Sequence, residues 1–472
     1  MLRNPISVVF AVLALLVGAP AFAGTIKVDS TTDSPDANPG DGKCLSKVGG
    51  CTLRAAAEEA SASEVGNTIE LPAGTYPMHK PDEGEYSEGG VLFLKGEITI
   101  SGEDSELTLI DGLGKARVFE AENGSTIKIS EITVQNAFGQ GETGAAILNR
   151  GVLTLESVVV RGSRATTDPL IPAGNGAGLL NFGAATVRDS TFEKNIADGR
   201  GGAIFNAEGS SLDVLGTSFT GNQSLTDGGG AIASSNTARL TLVSFTGNKA
   251  QNGGAIDVIS GPFALLDASF VENSSGVGGG AIRSNGQLTA ANVTISGNAA
   301  AISGGGLWTT GSGQTTLNNV TISGNRAATG QGGKGSGGGI ANDPAATTTI
   351  GNSIVAGNSS ASGKGPDCAG RLNSLGYNLL QNQAGCSLDG VKAGNVVGQA
   401  AKLAALDTTS SPTAVLPPEV GSPAIDVGNP KTPAGKDGTC MPVDQRGVPR
   451  PQAGAGPEPR CDIGAFELKP AS

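Results

Sequence analysis

Asp257 and Arg283 are the two residues whose types and spacing best fit catalytic chemistry. Each directly follows the isoleucine of a Gly-Gly-Ala-Ile tetrad, and the two positions lie 26 residues apart. If successive tetrads stack as neighbouring strands, the carboxylate and the guanidinium lie about 5 Å apart at the Cα level. Such a pair could act on an acidic sugar, as in a lyase. The alternative is an ion pair between adjacent strands, which contributes less than about 1 kcal/mol, and we favour it.

Two further groups of side chains are candidates for ligand binding. Four acidic residues near the N-terminus could hold calcium, although their spacing is not that of an EF-hand and their surroundings are also typical of turns. They are Asp29, Asp33, Asp36 and Asp41. Four basic residues in the long insertions 161–175 and 326–336 are candidate contacts for a ligand or partner, with solvated loops as the alternative. They are Arg161, Arg164, Arg326 and Lys334.

The composition excludes several classes of function. Of the 472 residues, 75 are glycine, 4 % are aromatic, and the formal net charge is −12. Such an acidic surface argues against a nucleic-acid partner, because phosphate binding needs clustered lysine and arginine. The single histidine, His79, removes most zinc sites and the usual serine or cysteine triads unless His79 itself is the base. We therefore predict no resident cofactor or metal.

The N-terminus and the cysteines indicate an exported protein. Residues 1–23 have the form of a secretory signal peptide, with Arg3, an apolar run over Val8–Val17 and the small-residue pattern Ala21-Phe22-Ala23. We expect no transmembrane segment in the mature chain. Six cysteines allow 15 pairings. In an exported protein we expect three disulfides, each between two cysteines that are close together in the sequence. These are Cys44–Cys51, Cys368–Cys386 and Cys440–Cys461.

The middle of the chain is a repeat with a period of about 25 residues. The glycine tetrads begin at Gly144, Gly176, Gly201, Gly229, Gly253, Gly279, Gly305 and Gly337. An apolar-x-x-Asn motif recurs out of phase with them, at Asn195, Asn222, Asn248, Asn273, Asn298, Asn325 and Asn358. Short strand-like segments lie between the motifs, with no helical pattern among them. The sequence therefore predicts an all-β fold, a right-handed parallel β-helix (solenoid) of about twelve coils; a leucine-rich horseshoe is the alternative.

This fold assigns a position to each repeated residue. We expect the tetrad glycines at tight bends, and one inward file formed by Ile147, Leu179, Ile204, Ile232, Ile256, Ile282, Trp308 and Ile340. The following residues, which include Asp257 and Arg283, should point outward. The asparagines should adopt left-handed φ and bond to their copies above and below. A second polar ladder is expected at Asn149, Asn181, Asn206, Ser234, Ser284, Thr310 and Asn342.

The two ends of the mature chain lack the repeat and should close the solenoid. Residues 24–65 form a predicted N-terminal cap, in which Leu53, Ala56, Ala57 and Ala60 give one apolar face to a short helix over 52–62. The β-helix repeats are assigned to residues 66–365. Residues 366–472 are rich in proline, contain two cysteine pairs and form a predicted disulfide-bonded C-terminal module.

Three resemblances to known families cover most of the mature chain. The tetrads and the apolar-x-x-Asn motifs resemble the repeats of polymorphic outer-membrane proteins. The segment Cys51-Thr52-Leu53-Arg54-Ala55-Ala56 resembles the N-terminal domain named for a Cys-Ser-Leu-Arg-Glu-Ala signature. The segments Asp444-Gln445-Arg446-Gly447 and Cys461-Asp462-Ile463-Gly464-Ala465-Phe466-Glu467 are similar to the "choice-of-anchor Q" domain. These families imply a bacterial secreted or surface-displayed protein.

The functional expectation is a secreted or cell-surface interaction protein, adhesin-like, whose partners are extracellular glycans or host and matrix proteins. The alternative is an extracellular polysaccharide lyase or glycoside hydrolase on a β-helix scaffold. Adjacent aspartates and a histidine beside aspartate or glycine, which mark pectate-lyase-like and polygalacturonase-like enzymes, do not occur in the chain.

Overall fold

Glycine-rich repeats of about 25 residues fold into a parallel β-solenoid of about 11 turns. The computed structural model describes residues 24–63, 65–79, 90–141, 144–168, 174–330, 335–452 and 459–469, so the predicted signal peptide lies outside the described residues. Neighbouring strands of the solenoid pair in parallel register, each with the same segment of the next turn. The predicted parallel β-helix is thus confirmed.

Each turn contains up to four strands, and the strands of successive turns form four faces. The tetrad face, which follows the glycine tetrads, contains Leu92–Leu94, Phe119–Ala121, Ile147–Asn149, Leu179–Asn181, Ile204–Asn206, Ile232–Ser234, Ile256–Val258, Ile282–Ser284, Leu307–Thr309 and Ile340–Asn342. The middle face contains Gly24–Lys27, Asn67–Leu71, Glu97–Gly102, Thr126–Ser130, Val152–Glu156, Ala184–Arg188, Ser211–Leu215, Thr237–Thr241, Pro262–Val271, Gln287–Ser296, Gln314–Ser323, Thr347–Gly351, Cys368–Ser374 and Cys386–Gly390.

The phenylalanine face follows the middle face, and three strands of the middle face, beginning at Pro262, Gln287 and Gln314, run straight into it. Its own strands are Gly74–Pro77, Thr108–Asp111, Thr133–Gln135, Val159–Arg161, Thr191–Glu193, Ser218–Thr220, Ser244–Thr246, Ile354–Ala356, Leu379–Leu380 and Val396–Val397. The short face contains Phe138–Gln140, Arg164–Thr166, Ile196–Ala197, Gln223–Ser224, Lys249–Asn252, Ser274–Gly278, Ala299–Ala300, Arg326–Ala327 and Ser359–Ser360.

A ladder of buried asparagines runs through the solenoid at the bend before the short face. The side-chain amide of each asparagine donates to the side-chain oxygen of the next, at 2.9 to 3.1 Å, from Asn195 to Asn358. That oxygen also accepts the backbone N–H of the preceding ladder residue, so every turn is bonded to the next twice. Asp367 ends the ladder, because its Oδ1 accepts the amide of Asn358 at 2.9 Å.

The expectation of left-handed φ at these asparagines was wrong. The left-handed residue is the one before each asparagine, from Lys194 at φ 53° to Gly357 at φ 66°. The bend at that residue points the following side chain into the core, where its amide bonds to polar groups of the adjacent turns.

The ladder lies beside a column of phenylalanine rings that sequence reasoning did not identify. Phe192, Phe219, Phe245 and Phe270 are buried and stack with centroid separations of 5.3, 4.9 and 4.7 Å. Each ring belongs to the residue that precedes the ladder asparagine by three positions. The apolar-x-x-Asn motif therefore supplies one ring and one amide to the interior of each of these turns.

The second polar ladder forms over its first four positions. Asn149, Asn181, Asn206 and Ser234 are connected by side-chain hydrogen bonds of 2.7, 2.8 and 3.1 Å. Further along, the position is taken by Val258 and then by Ser284 and Thr309, rather than by the expected Thr310.

Trp308 does not belong to the inward file in which the sequence analysis placed it, because the repeat was aligned one residue too late at this turn. Leu307 pairs with Ile282 and points inward, whereas Trp308 pairs with Arg283 on the outer side of the tetrad face. Three consecutive glycines, 304–306, allowed two alignments of the tetrad, and the left-handed φ of Gly304, 65°, marks the correct one. A shift of one residue reverses the direction of every side chain in a strand.

A helix over Leu53–Ala62 closes the N-terminal end of the solenoid, as predicted. Thr52 caps it by accepting the N–H of Ala55, and Leu53 and the buried alanines join the core. The loop that precedes the helix covers the side of the helix that faces away from the core. Arg54 pairs with Asp33 of that loop at 2.7 Å, and Glu59 accepts the N–H groups of Gly40 and Gly42. The first strand, Gly24–Lys27, comes before this helix and already pairs with the solenoid.

The C-terminal residues 424–452 and 459–468, here called the strap, pack along the side of the last turns. Asn319 accepts the N–H of Met441 at 2.8 Å and donates to the carbonyl of Gly464 at 3.1 Å. Asn352 accepts the N–H of Asn429 at 3.1 Å. A second apolar cluster, which includes Ile354 of the solenoid and Ile463 of the strap, lies between them.

All three predicted disulfides are present. Cys44–Cys51 lies in the loop before the helix, Cys368–Cys386 ties the last two strands of the middle face, and Cys440–Cys461 lies within the strap. Among the described residues, no helix has the length and apolar character needed to cross a membrane.

Removal of one ladder amide should destabilise the whole solenoid. Asn248→Ala leaves the N–H of Asn222 and the carbonyl of Phe219 without their side-chain partner. Each buried polar group left unpaired costs about 1–3 kcal/mol, so we expect a loss of about 3 kcal/mol in urea unfolding. Asn236→Ala, at a half-buried position outside the ladder, is the control and should cost under about 1 kcal/mol. Equal unfolding midpoints for the two variants would contradict the role of the ladder.

The strap should loosen when Asn319 is replaced by glycine, which retains the left-handed φ of 52° but removes the amide. Met441 then loses its acceptor, and we expect faster cleavage of the strap by a low dose of trypsin. Asp189→Gly changes the equivalent left-handed turn position in a turn that the strap does not reach, and its cleavage pattern should match the wild type. A strap equally resistant in Asn319→Gly would show that the amide does not hold it.

Candidate functional site

The outer side of the tetrad face is covered by backbone, which the sequence did not reveal. The glycine segment of one turn lies over the outward side chain of the next, so that a Cβ on Gly228 would lie 2.1 Å from Oδ2 of Asp257. Glycine is required there because any side chain would collide with this neighbour. As a result, Leu148, Leu180 and Asp257 point outward yet are at most 1 % exposed.

Asp257 and Arg283 form the ion pair that the register predicted. Nε of Arg283 donates to Oδ1 of Asp257 at 2.7 Å, and Nη2 donates to Oδ2 at 2.9 Å. Asp257 is fully buried, whereas the arginine side chain is 22 % exposed. Burial raises the pKa of Asp257 to about 6, and Arg283 acts in the opposite direction.

A second pair, Arg200 and Asp227, lies next to the first, with Nε and Oδ2 2.7 Å apart. Both residues are partly exposed, at 41 % and 34 % of their side chains. Along neighbouring turns the order is Arg200, Asp227, Asp257 and Arg283, so the two carboxylates adjoin; Asp227 raises the pKa of Asp257, and Arg200 lowers it. Because both oxygens of Asp257 are bonded to Arg283 and the residue is sealed beneath Gly228, a substrate cannot reach it. This geometry suits a structural ion pair and not a general acid or base.

Trp308 extends the same file by one turn. Its indole N–H donates to Oδ1 of Asp343 at 3.0 Å, and the ring is half-buried against the backbone of Gly278. Sequence reasoning excluded this aromatic side chain from the exterior because of the alignment error described above.

The basic candidates do not converge. Arg161 donates twice to Gln135 on the phenylalanine face, and Arg164 pairs with Asp198 on the short face. Arg326 is exposed on the short face, six strands from Arg164, which corresponds to about 30 Å. Lys334 lies outside the described residues. These residues therefore do not form one binding surface within the described part of the chain.

The four acidic candidates each accept hydrogen bonds from the protein. Asp29 accepts the N–H of Cys51, and Asp36 accepts those of Asn38 and Leu45. Asp41 accepts the N–H of Lys43, and Asp33 pairs with Arg54. Searched over the described ranges, the chain contains no group of three or more acids, cysteines or histidines able to hold a metal. His79 is exposed, and its backbone N–H donates to Asp33 at 2.7 Å.

A cavity at one corner of the last turns is a candidate site that the sequence did not indicate. It has a volume of about 540 Å³ and lies between the bend at residues 343–347 and the strand Cys368–Ser374. Its polar lining includes Asp343, Arg371, Asn373 and Asp389. These residues lie at the edge of the repeat and in the non-repetitive tail, so no periodic signal could have brought them together. We call it the corner cavity.

Disruption of one partner of the buried pair should cost more stability than removal of both. Asp257→Ala removes two hydrogen bonds to Arg283, whose side chain is 22 % exposed, and leaves a void beneath Gly228, so we expect a loss of about 2–4 kcal/mol in the free energy of unfolding. The double variant Asp257→Leu/Arg283→Met retains the shape of both side chains without charge, and at pH 7 its stability should equal that of the wild type or exceed it by about 1–4 kcal/mol. Wild-type stability in Asp257→Ala would contradict a structural role.

The same double variant tests the pH dependence. With a pKa of about 6 in the folded state and about 3.9 in the unfolded state, Asp257 keeps a proton on folding that the unfolded chain releases. Its contribution therefore lowers the stability of the wild type as pH rises from about 4 to about 6. We expect the double variant to gain stability relative to the wild type over that interval, measured by urea unfolding at each pH. A difference that is constant with pH would contradict the raised pKa.

Comparisons with known proteins identify a matching repeat in the middle of the chain. Residues 189–207, 216–235 and 242–258 match the Chlamydia polymorphic membrane protein repeat. No curated protein matches the chain. A solved structure, described as the crystal structure of pectate lyase Pel9A, is 14 % identical with a TM-score of 0.40, covering 95 % of this chain and 97 % of that one. At that identity and TM-score the likeness does not bear on activity. The two terminal resemblances have no counterpart among these matches and stay predictions. The chain is thus a β-helix protein with polymorphic-membrane-protein-like repeats, and its repeats and disulfides are features of a surface or secreted protein.

Proposed function

We propose that this protein is a secreted or surface-displayed interaction protein, adhesin-like, that binds extracellular glycans or matrix proteins through its exterior. The observation that carries the proposal is the closed state of Asp257. The carboxylate best placed for chemistry has both oxygens bonded to Arg283 and no exposure to solvent.

The division between interior and exterior supports recognition as the role. On the middle face, inward positions keep one chemistry from turn to turn, and the register-matched residues are buried and apolar: Ile127, Leu153, Ala185, Leu212, Ala238, Phe263 and Leu288. The adjacent outward positions share no single chemistry: Lys128, Thr154, Thr186, Asp213, Arg239, Ala264 and Thr289. These outward residues lie outside the core, so they are available to a partner.

The net charge of the protein restricts the chemical class of the partner. The acidic net charge of −12 disfavours nucleic acid and other polyanions, which leaves neutral glycans and protein surfaces with basic character. The expected export agrees with an extracellular partner.

The proposal predicts binding without turnover. Purified residues 24–472, applied to an array of extracellular glycans and matrix proteins, should bind at least one class saturably. The same preparation, incubated with acidic and neutral polysaccharides, should release neither unsaturated products nor new reducing ends above background. Turnover that disappears in Asp257→Asn, with folding retained, would overturn the proposal. An array without any saturable binding would overturn it as well.

A further inference from the structure

The corner cavity exists because one turn takes a shorter path than the turn before it. The earlier turn passes from the tetrad face to the middle face through the bend at residues 343–347, whereas Cys368–Ser374 runs from one face to the other as a single strand. Gly370 makes this path possible, since a Cβ there would lie 2.3 Å from the carbonyl oxygen of Asn342 and its φ is 89°. The space beneath the wider bend is left open.

The wall formed by that bend is held by buried hydrogen bonds. The amide of Asn342 donates to the carbonyl of Ala346 at 3.0 Å, and its oxygen accepts the hydroxyl of Thr348 at 2.7 Å. Asp343 accepts the indole N–H of Trp308 and the backbone N–H of Gly311. The polar groups at this wall are therefore preorganised, which lowers the entropic cost of binding a ligand.

The opposite side of the corner cavity carries unused hydrogen-bonding groups. Arg371 pairs with Asp389 only through Nε, at 3.1 Å from Oδ2, and its side chain is 81 % exposed. Its two terminal nitrogens and Oδ1 of Asp389 make no hydrogen bond within the described chain. The guanidinium of Arg371 can donate to one ligand atom while the carboxylate of Asp389 accepts a hydrogen bond from its neighbour.

The lining favours one class of ligand. Two carboxylates against one guanidinium disfavour an anion, and the lining, which contains no aromatic residue, offers hydrogen bonds and no stacking surface. Asp343 is already satisfied by N–H donors, which disfavours a metal ion. Two neighbouring hydroxyl groups of one ligand can donate to Asp389 and accept from Arg371 at the same time. The cavity volume of about 540 Å³ lies in the usual range for small-molecule sites, about 300–1,000 Å³.

We propose that the corner cavity is a saccharide-binding site that takes one or two sugar units of a neutral glycan, with Arg371 and Asp389 bonded to adjacent hydroxyls. This inference rests on the proposed function and names a ligand class and a position for it.

Saturation-transfer NMR and calorimetry with neutral hexoses and their disaccharides test the site. Wild-type protein should bind at least one of these sugars, and Arg371→Met should weaken that binding at least tenfold. Because Arg371 is exposed, the variant should keep the unfolding midpoint of the wild type. Arg188→Met, which removes an exposed arginine from the middle face in a much earlier turn, is the matched control and should bind sugar as the wild type does.

The outcomes separate this inference from the proposed function. Equal sugar binding in Arg371→Met and wild type would overturn the corner cavity as the site and leave the interaction role standing. Protein partners on the array with no sugar binding would also overturn the saccharide inference alone. Failure to bind either sugars or proteins would overturn both.

Discussion

The asparagine ladder is the interaction on which the rest of the structure depends. A solenoid has no single core that closes on itself, so each turn must be fixed to the next in register. An inward amide that bonds to its own copy in the adjacent turn does this, since a slip of one residue would leave buried donors and acceptors unpaired. The stacked phenylalanines beside the ladder add apolar contact, and from Asn195 to Asn358 the amides specify which residue lies above which.

Because the interior fixes the register, most outward side chains are not needed to align the turns. Two regions are exceptions: the strap is held by Asn319 and Asn352, and the glycine segments bring the backbone of one turn against the outward side chains of the next. That second cover seals Asp257 from solvent and leaves Arg283, which is 22 % exposed, bonded to it. Elsewhere, as at Lys128, Asp213 and Arg239, the chemistry of the outward residues differs from turn to turn.

Periodic and local features of the fold could be predicted from the sequence, whereas contacts between distant, non-repeated segments could not. The two repeated motifs predicted the parallel solenoid and the neighbouring positions of Asp257 and Arg283, and the local spacing of apolar residues predicted the helix that closes the N-terminal end. Trp308 was misplaced because three consecutive glycines left the alignment open, and the cover over the tetrad face is a contact between turns that no strand pattern encodes. The corner cavity and the strap depend on Arg371, Asp389 and residues after 424, which have no repeated partner to reveal their neighbours.

Native-state hydrogen exchange at the ladder tests the account most directly. The backbone N–H groups of Asn222, Asn248 and Asn273 donate to the next asparagine side chain inside the solenoid. If the ladder holds the turns together, these amides exchange together and only in the slowest, global opening of the solenoid. Exchange of the ladder amides as fast as those of the exposed bends, or at unrelated rates from one turn to the next, would show that the register is held by something else.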